Sequence, residues 1–480
     1  MKEVLFVEKY LYINGEWKGQ GLDRIEVYNP ADGEVVGTVA SGGKEETIEA
    51  IDAAHSAFPA WSRLSAYERA DYLMKLHDLM MDEKEELAEI MTKEMGKPLK
   101  ESVGEVMYAA SFLKWYAEEG KRIYGRTIPS YAENKRMQVL KQPIGVVAAI
   151  TPWNFPAAMI TRKLGPALAA GCTFIVKPPK ETPLSAIKLV ELSEKAGFPK
   201  GVINLVTGSS SVIGRELMAS RKVSKLTFTG STEIGKKLIE QSAATVKNVS
   251  MELGGHAPAV VLDDADLKKA VAGVAASKFR NAGQTCICIN RVYVHEKIYD
   301  EFLDLLTAEV KKLKVGNGLE EGTDIGPIIN KEGYEKISEH VDDAVSKGAV
   351  CVTGGKGTEE NGGHFYEPTV LKNVNHKMLI MKEETFGPVV PVQKIASDEE
   401  GIRLANESEF GLAAYVYTES MSRGTRVVEG LQYGIIGWND GVPSAAQAPF
   451  GGMKESGIGR EGGIEGMEAY LETKYVSVVL

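Results

Sequence analysis

Between residues 145 and 264 the chain alternates short apolar runs with longer amphipathic segments. The runs lack polar interruptions, which is typical of strands buried on both faces, and they occupy 145–150, 172–176, 202–206, 226–228 and 257–262. Helical periodicity marks the segments between them, near 157–170, 183–197, 211–220 and 231–243. We therefore predict an α/β fold with a doubly wound parallel sheet covered by helices on both faces.

A long helix is predicted upstream, over residues 65–96. Ser65 and Glu68 form a capping-box pattern, an apolar stripe follows them, and Gly96 suits the C-terminal cap.

Downstream, helical stretches near 265–279 and 297–313 continue the alternation and predict a second α/β unit. Residues 123–141 are polar and β-prone. The tail, 469–480, ends in an apolar strand-like run, which needs a pairing partner such as another subunit.

Composition narrows the function classes. A length of 480 residues suits two or three domains, and a net charge of −10 without a concentrated basic segment argues against nucleic acid or an anionic membrane as the main partner. Residues 1–13 lack a signal-peptide pattern, and no apolar run approaches the length of about 18 residues that a membrane span needs. With only four cysteines, we expect a reduced, cytoplasmic protein without a disulfide framework.

Cys286 is the candidate nucleophile. It lies in a polar, glycine-containing segment after a predicted helix, and a thiolate forms thioesters readily. The alternative for any one cysteine is a small buried hydrophobic residue, which we predict for Cys172 and Cys351 because both lie beside apolar strand residues. Cys286 and Cys288 have no second Cys or His pair nearby, so no metal site is predicted.

Two polar residues could assist a nucleophile. Glu252 ends an apolar strand before two glycines, where partial burial would raise its pKa toward that of a general base. Asn154 follows the first apolar strand, at the strand end where open α/β sheets bind ligands, and its amide can donate to a developing oxyanion. The alternatives are a surface glutamate before a turn and a rigid proline-bounded turn.

Two further segments could bind a phosphate-bearing ligand. At 228–236 a strand runs through Gly230 into a helix, so backbone N–H groups can face a phosphate, although the spacing differs from the usual dinucleotide fingerprint. Lys177 and Lys180 follow another strand and could hold ribose hydroxyls or a phosphate. The alternative for these lysines is a solvated charge cluster.

Together these segments resemble the aldehyde dehydrogenase superfamily over essentially the whole chain. The features that match in order and spacing are Asn154, Lys177, Gly230–Gly235, Glu252, Cys286 and the stretches 383–388 and 449–452. The resemblance implies that Cys286 attacks an aldehyde to give a thiohemiacetal. Asn154 and the Cys286 backbone N–H would hold its oxyanion, and Glu252 would activate the water that hydrolyses the later thioester.

The resemblance also implies an NAD(P) site, formed by Trp153, Lys177, Lys180, Gly230, Ser231, Thr232, Leu253, Glu384 and Phe386. In it, Lys177 and Glu384 would hold ribose hydroxyls, and the residues from Gly230 to Thr232 would meet the pyrophosphate. Members that prefer NAD often have glutamate at the position of Lys180. An ammonium attracts the 2′-phosphate that a carboxylate repels, so we expect NADP to be preferred and NAD to be usable.

Among family members, the chain most resembles succinate-semialdehyde dehydrogenases. Arg162, Arg280 and Ser444 would bind the distal carboxylate of the substrate, because the planar arginine fork suits two oxygens. Glutarate semialdehyde also carries a distal carboxylate and would fit the same residues. The alternative role for the two arginines is to form structural ion pairs. The resemblance also implies a redox switch, in which Cys288 can form a disulfide with Cys286.

The resemblance divides the chain into a cofactor domain (1–122 and 142–252), a catalytic domain (253–446) and an oligomerisation element (123–141 and 447–480). It implies a homodimer or homotetramer in which a strand of one subunit extends a sheet of its neighbour. Two rival functions stay open: a broad-specificity aliphatic or aromatic aldehyde dehydrogenase, and a non-catalytic structural protein on the same scaffold.

Overall fold

A computed structural model of the chain describes residues 7–360 and 362–480. The expectation about a signal peptide falls partly on residues 1–6, which lie outside the described residues. The strands are β1 (Val7–Lys9), β2 (Leu11–Ile13), β3 (Glu16–Lys18), β4 (Arg24–Tyr28), β5 (Val35–Ala40), β6 (Arg126–Ile128), β7 (Lys135–Pro143), β8 (Val146–Ile150), β9 (Thr173–Lys177), β10 (Ile203–Leu205), β11 (Val223–Thr229), β12 (Asn248–Glu252), β13 (Ala257–Val261), β14 (Ile289–His295), β15 (Val350–Thr353), β16 (Gly357–Glu360), β17 (Gly363–Tyr366), β18 (Thr369–Lys372), β19 (Val389–Ile395), β20 (Phe410–Gly411), β21 (Ala413–Tyr417), β22 (Ile435–Trp438), β23 (Met453–Lys454), β24 (Gly457–Ile458) and β25 (Leu471–Val479).

The helices are α1 (Lys44–Trp61), α2 (Ala66–Asp82), α3 (Lys84–Met95), α4 (Leu99–Glu119), α5 (Ala158–Ala170), α6 (Pro183–Lys195), α7 (Ser210–Ala219), α8 (Thr232–Ser242), α9 (Leu267–Phe279), α10 (Tyr299–Val310), α11 (Lys331–Ser346), α12 (Asp398–Asn406), α13 (Met421–Gly430) and α14 (Gly463–Glu468). Short 3₁₀ turns occupy residues 120–122, 243–245, 280–283 and 379–381.

The first large sheet has the strand order β24-β12-β11-β8-β9-β10-β2-β3. Its five central strands, from β12 to β10, run parallel, and antiparallel strands flank them on both sides. At the carboxyl edge the register pairs Ile150 with Lys177 and Thr229 with Glu252. The edge that open α/β sheets use for ligands therefore carries two of the predicted site residues.

Alternate residues of the central strands face opposite helical layers. In β8, Val147 and Ala149 pack in the core with α2–α6, whereas Val146 and Ala148 pack with α1, α7 and α8. Burial on both faces explains why the strands are continuous apolar runs in the sequence, and it confirms the predicted doubly wound sheet.

The second large sheet has the order β15-β18-β19-β14-β13-β21-β22. It is parallel from β18 to β22, and its core includes side chains of α9–α13. The apolar run predicted at 257–262 forms β13 at the centre of this sheet rather than in the first one. The second α/β unit that the sequence predicts is therefore present.

A third, smaller sheet has the order β25-β7-β6. The apolar tail pairs antiparallel with β7, from Leu471 opposite Pro143 to Val479 opposite Lys135. Tyr475, Val478 and Val479 remain exposed on this edge strand. The domain boundaries given above stay a prediction.

The predicted helix at 65–96 is wrong in one respect, because it is two helices. Its start is confirmed: Ser65 Oγ accepts from Glu68 N (3.2 Å), and Glu68 Oε2 accepts from Ser65 N (2.8 Å). Between α2 and α3, however, Glu83 adopts φ −103° and ψ 22°. At this break its carboxylate pairs with two lysines of α6, Lys188 at 2.7 Å and Lys195 at 2.8 Å.

The prediction that Cys351 is buried is also wrong, whereas Cys172 is buried as expected. Cys351 lies in β15, which is an edge strand with a single neighbour, and the preceding Val350 is 44% exposed. An apolar run in the sequence does not reveal whether its strand is central or at an edge.

Among the described residues, no helix combines the length and the apolar character that crossing a bilayer requires.

The end of α3 offers a test of how tightly Gly96 packs against the two prolines beside it. Gly96 has φ +89°, and a Cβ there would lie 2.5 Å from Pro327 Cγ and 2.8 Å from Pro30 Cγ. Gly197 has φ +84° but no atom within 4 Å of the same position. We predict that Gly96→Ala lowers the free energy of unfolding by about 3 kcal/mol or more in urea titrations, since backbone strain and overpacking add.

The matched control is Gly197→Ala, which introduces the backbone strain alone and should cost about 1–2 kcal/mol. An equal loss in both variants would mean that the prolines around Gly96 relax at no cost.

Candidate active site

The candidate nucleophile follows a strained turn. After α9 the chain passes through Asn281, Ala282 and Gly283, whose φ angles are 53°, 54° and 72°. Each non-glycine residue in this left-handed region costs about 1–2 kcal/mol. At Gly283 a Cβ would lie 2.1 Å from the carbonyl oxygen of Gly387, so a side chain does not fit. The turn leads directly to Cys286.

Side chains of this turn hold it in place. Asn281 Nδ2 donates to the carbonyl oxygens of Asn154 (3.0 Å) and Gln284 (3.2 Å). Gln284 Nε2 donates to Asn281 O (3.1 Å), and Gln284 Oε1 accepts from Ile329 N (2.9 Å). The loop before Cys286 is therefore connected both to the first sheet and to the segment before α11.

Cys286 is partly exposed and lines two cavities, which meet at this residue and at Met159. Burial and, next, the negative charge of Glu384 raise the pKa of the Cys286 thiol to about 12. The resting thiol is therefore protonated near neutral pH, and its reaction requires loss of a proton.

Asn154 lies in the turn between β8 and α5 and shares a cavity with Cys286. Its Nδ2 donates to Gln284 O (3.1 Å), which uses one of its two N–H groups. The second N–H has no hydrogen-bond partner among the described residues, and the oxyanion role of Asn154 stays a prediction. Its Oδ1 is buried and accepts no hydrogen bond from the described residues.

Glu252, the predicted base, is buried at the end of β12 and lines neither cavity that contains Cys286. Burial first, and then the charge of Glu461, raise the pKa of Glu252 well above the ordinary carboxyl range. Only the carboxylate form of Glu252 can accept a proton, so general-base chemistry requires that this group first be deprotonated.

Arg162 and Lys163 are buried on either side of Glu461. Arg162 Nε lies 2.9 Å from Glu461 Oε2, and Lys163 Nζ bonds to Glu461 and donates to Thr229 Oγ1 (2.5 Å). Burial favours protonation, but the two cations hold the pKa of Glu461 below its usual range. When Glu252 is protonated, this cluster carries one uncompensated positive charge.

The first cavity, of about 440 Å³, lies at the carboxyl edge of the first sheet. Six of the predicted cofactor residues line it: Trp153, Gly230, Ser231, Leu253, Glu384 and Phe386. Trp153 and Phe386 meet edge to face, with ring centroids 5.6 Å apart. Ser231 caps α8, whose N-terminus therefore begins at this cavity.

Three predicted cofactor residues lie outside that lining. Thr232 begins α8, and its Oγ1 accepts from Gly254 N (3.3 Å). Lys177 is buried, its Nζ donates to Ser210 Oγ (2.5 Å), and burial lowers its pKa to about 8. Lys180 is exposed, with Glu181 3.9 Å away.

The second cavity, of about 310 Å³, approaches Cys286 from another side and brings together Arg162, Arg280 and Ser444. Arg280 forms no salt bridge with any described residue, its Nε is buried without a hydrogen-bond partner, and its guanidinium lies 5.2 Å from the centre of the Phe155 ring. Arg162, by contrast, is engaged with Glu461. Arg280 is therefore the cation of this cavity that forms no salt bridge within the described residues, although Glu101 lines the same cavity.

Cys288 is buried below the nucleophile loop. Its Sγ lies 3.2 Å from Gly283 O and 3.6 Å from Lys278 Nζ, and both Cys286 and Cys288 are free thiols. The redox role of Cys288 stays a prediction.

The described residues contain no group of three or more His, Cys, Asp or Glu side chains that could hold a metal ion.

Sequence reasoning missed several residues of the site, among them Lys97, Glu105, Tyr108 and Glu461. Tyr108 lines the second cavity with Arg280, and burial raises the pKa of its phenol. Glu461 bonds to a lysine 298 residues away, so no local pattern reveals it. Lys97 lies before α4 and Glu105 within it, so the helical spacing of α4 does not reveal that they pair.

The comparisons with known proteins agree with this geometry. The sequence model of the aldehyde dehydrogenase family matches residues 17–476. A glutarate-semialdehyde dehydrogenase of Pseudomonas putida is 54% identical over 479 residues, covering 100% of this chain and 99% of the relative. An NADP(+) succinate-semialdehyde dehydrogenase (GabD) of Escherichia coli is 55% identical over 469 residues, covering 98% and 97%.

Among solved structures, a succinate-semialdehyde dehydrogenase from Burkholderia pseudomallei is similar, with a TM-score of 0.96 at 52% identity and coverage of 98% of both chains. The predicted fold class is confirmed. The roles predicted for individual residues are not tested by these comparisons.

The raised pKa of Cys286 predicts how its thiol reacts in the cofactor-free protein. In a Cys351→Ser background, which removes the exposed thiol, we expect iodoacetamide alkylation of Cys286 to be slow at pH 7 and to rise about tenfold per pH unit to pH 9 and beyond. Peptide mass spectrometry locates the adduct, and Cys286→Ser in the same background is the control. A plateau near pH 7 would contradict the protonated resting thiol.

Proposed function

The chain belongs to the aldehyde dehydrogenase family, and on that premise we propose that it oxidises succinate semialdehyde to succinate, with NADP as the preferred cofactor. Cys286 is the nucleophile, Asn154 the oxyanion donor and Glu252 the general base. The observation that carries the substrate assignment is Arg280, a half-buried cation that forms no salt bridge with any described residue and lines a cavity that ends at Cys286.

The first step is attack of Cys286 Sγ on the aldehyde carbon, with the thiol proton passing to solvent water. The carbonyl oxygen then becomes an oxyanion, which accepts from the free N–H of Asn154 and from the Cys286 backbone N–H. Removing one such donor typically lowers the rate about 10²–10³-fold. When bound, the dinucleotide supplies the hydride acceptor that converts the adduct into a thioester.

Hydrolysis of the thioester needs a base. Glu252 lines neither cavity itself, so we propose that it takes its proton from a water molecule that lies between its carboxylate and the thioester. Its raised pKa makes it a stronger base than an exposed glutamate, and hydrolysis should accelerate as pH rises through that pKa and the carboxylate form accumulates.

The first cavity suits a dinucleotide. Ser231 places the N-terminus of α8 at its wall, where backbone N–H groups favour a pyrophosphate. Glu384 lies at the wall beside Gly254 and accepts from Gly255 N (3.3 Å), and burial raises its pKa to about 7. We assign this carboxyl group to a ribose hydroxyl. Trp153 and Phe386 form an aromatic wall that a nicotinamide ring can contact.

We assign the NADP preference to Lys180. This ammonium is exposed and its one described acidic neighbour, Glu181, is 3.9 Å away, so the charge is available to a 2′-phosphate. Lys177 and Ser210, which bond to each other, would hold the adjacent ribose hydroxyls. NAD lacks the phosphate but retains every other contact, so it should also be used.

The substrate carboxylate would bind in the second cavity. Arg280 offers its guanidinium and Ser444 a hydroxyl, and Arg162 adds a second cation to the same cavity. Two relatives are named for semialdehydes that carry a distal carboxylate, one for succinate and one for glutarate semialdehyde. Glutarate semialdehyde, longer by one carbon, is therefore the second candidate substrate.

We also propose that the protein is a homodimer or homotetramer. The edge strand β25 leaves Tyr475, Val478 and Val479 exposed beside an unpaired strand edge, which is a surface suited to a neighbouring sheet. A monomer in solution would overturn this part of the proposal.

Arg280 provides the test of substrate choice. We expect Arg280→Gln to lower kcat/KM for succinate semialdehyde about 100-fold, because one charge-assisted bidentate contact is lost. The value for propanal, which has no carboxylate, should change less than about threefold. Steady-state rates with NADP measure both, and propanal serves as the internal control for folding.

Equal losses on the two aldehydes would remove the carboxylate assignment and favour the broad-specificity alternative. Abolished turnover in Cys286→Ala is expected on both substrates, and retained oxidation would reject the mechanism itself.

Lys180 provides the test of cofactor choice. We predict that Lys180→Glu raises KM for NADP about tenfold or more and leaves KM for NAD within about threefold, because the new carboxylate repels only the 2′-phosphate. Lys377→Glu makes the same charge change at an exposed lysine away from both cavities and should alter neither value. Unchanged NADP binding in Lys180→Glu would show that the phosphate lies elsewhere.

A further inference from the structure

A buried ion pair lies behind the turn that carries Asn154. Lys97 follows the left-handed Gly96 at the end of α3, and Glu105 lies in the second turn of α4. Their side chains are each 1% exposed, and Lys97 Nζ donates to Glu105 Oε2 (2.5 Å). Two charges removed from water in this way are costly unless further hydrogen bonds satisfy them.

The remaining bonds of Lys97 go to the turn itself. Its Nζ donates to the carbonyl oxygen of Asn154 (2.7 Å) and lies 4.0 Å from the centre of the Phe155 ring. Asn281 Nδ2 donates to the same carbonyl oxygen (3.0 Å), so both lone pairs of this oxygen are used. One of the two bonds carries a full charge, which makes it about twice as strong as a neutral one.

The remaining bonds of Glu105 go to the other end of the turn. Its Oε1 accepts from Ala157 N (3.0 Å) and Ala158 N (3.2 Å), the backbone donors at the start of α5. A carboxylate at a helix N-terminus is favoured by the helix dipole. The ion pair therefore holds the turn at Asn154 and again three residues later.

Asn154 depends on such external support. Within the described residues its side chain makes one hydrogen bond, from Nδ2 to Gln284 O, while Oδ1 makes none. The direction of its free N–H is thus set mainly by the position of its main chain. Lys97 lines neither cavity and cannot touch the reacting atoms.

We propose that Lys97, through its pair with Glu105, is a positioning residue that fixes the Asn154 main chain and so aims its amide at the oxyanion. This inference rests on the proposed oxyanion role of Asn154. A shift of an oriented group by about 1 Å can cost 10²-fold in rate, so losing the clamp should affect turnover more than substrate binding.

The test is a double-mutant cycle with succinate semialdehyde and NADP. Lys97→Met should lower kcat about 10–100-fold with KM changed less than about threefold. Asn154→Ala should cost about 10²–10³-fold. If Lys97 acts through Asn154, the double variant should be no more than about threefold worse than Asn154→Ala alone.

The matched control is Lys188→Met, which removes another largely buried ion-pair lysine, bonded to Glu83 and Glu86, away from the turn. Its kcat should stay within about threefold of the parent protein. Should Lys97→Met fail to fold, Glu105→Gln keeps the side-chain volume. Because Glu105 lines the second cavity, its cycle with Asn154→Ala is compared on kcat alone. Fluorescence quenching by NADP confirms that each variant retains a formed cofactor site.

Additive losses, in which removal of the clamp costs the same factor with and without the Asn154 side chain, would overturn the inference and assign the ion pair to stability alone. An Asn154→Ala variant with unchanged kcat would instead reject the proposed oxyanion role, and the positioning role with it.

Discussion

The left-handed turn at Asn281, Ala282 and Gly283 is the constraint on which the rest of the site depends. A chain does not adopt this conformation without compensation, and here the compensation comes from outside the turn. The Gly387 carbonyl packs against Gly283, and the Asn281 amide reaches across to Asn154. Cys286 and Asn154 are consequently held as one unit, although Asn154 follows a strand of the first sheet and Cys286 precedes a strand of the second.

Buried charge is the second element of the design. Two cation clusters, one around Lys97 and one around Arg162 and Lys163, lie behind the turn and beside the second cavity. The first pairs with Glu105, which also accepts from the backbone at the start of α5. The second pairs with Glu461, which contacts both cations. Such clusters contribute little to net stability, because desolvation offsets attraction. The two cations of the second cluster oppose the rise in the pKa of Glu252 that burial causes, and Arg162 opposes the corresponding rise for the Cys286 thiol.

Much of the fold follows from local sequence, because buried parallel strands and their helices have distinct periodicities. The strands from β8 to β13 and the helices between them lie within a few residues of their predicted places. The break at Glu83 has no local proline or glycine to mark it, and its ion pairs are with distant lysines of α6. The exposure of Cys351 depends on the strand order of the second sheet, which local sequence does not show. For the site, motifs indicated Cys286, Asn154 and Glu252. Glu461 and the partnerless state of Arg280 required the tertiary structure.

The meeting of the two cavities at Cys286 and Met159 has a kinetic consequence. Each cavity has exposed residues on its rim, Glu332 in the first and Val442 in the second, so each has its own access to solvent. Neither ligand has to cross the path of the other to reach the sulfur. Any fixed order of binding in this enzyme would therefore reflect energetic coupling through the shared residues, and would not arise from one ligand blocking the entrance of the other.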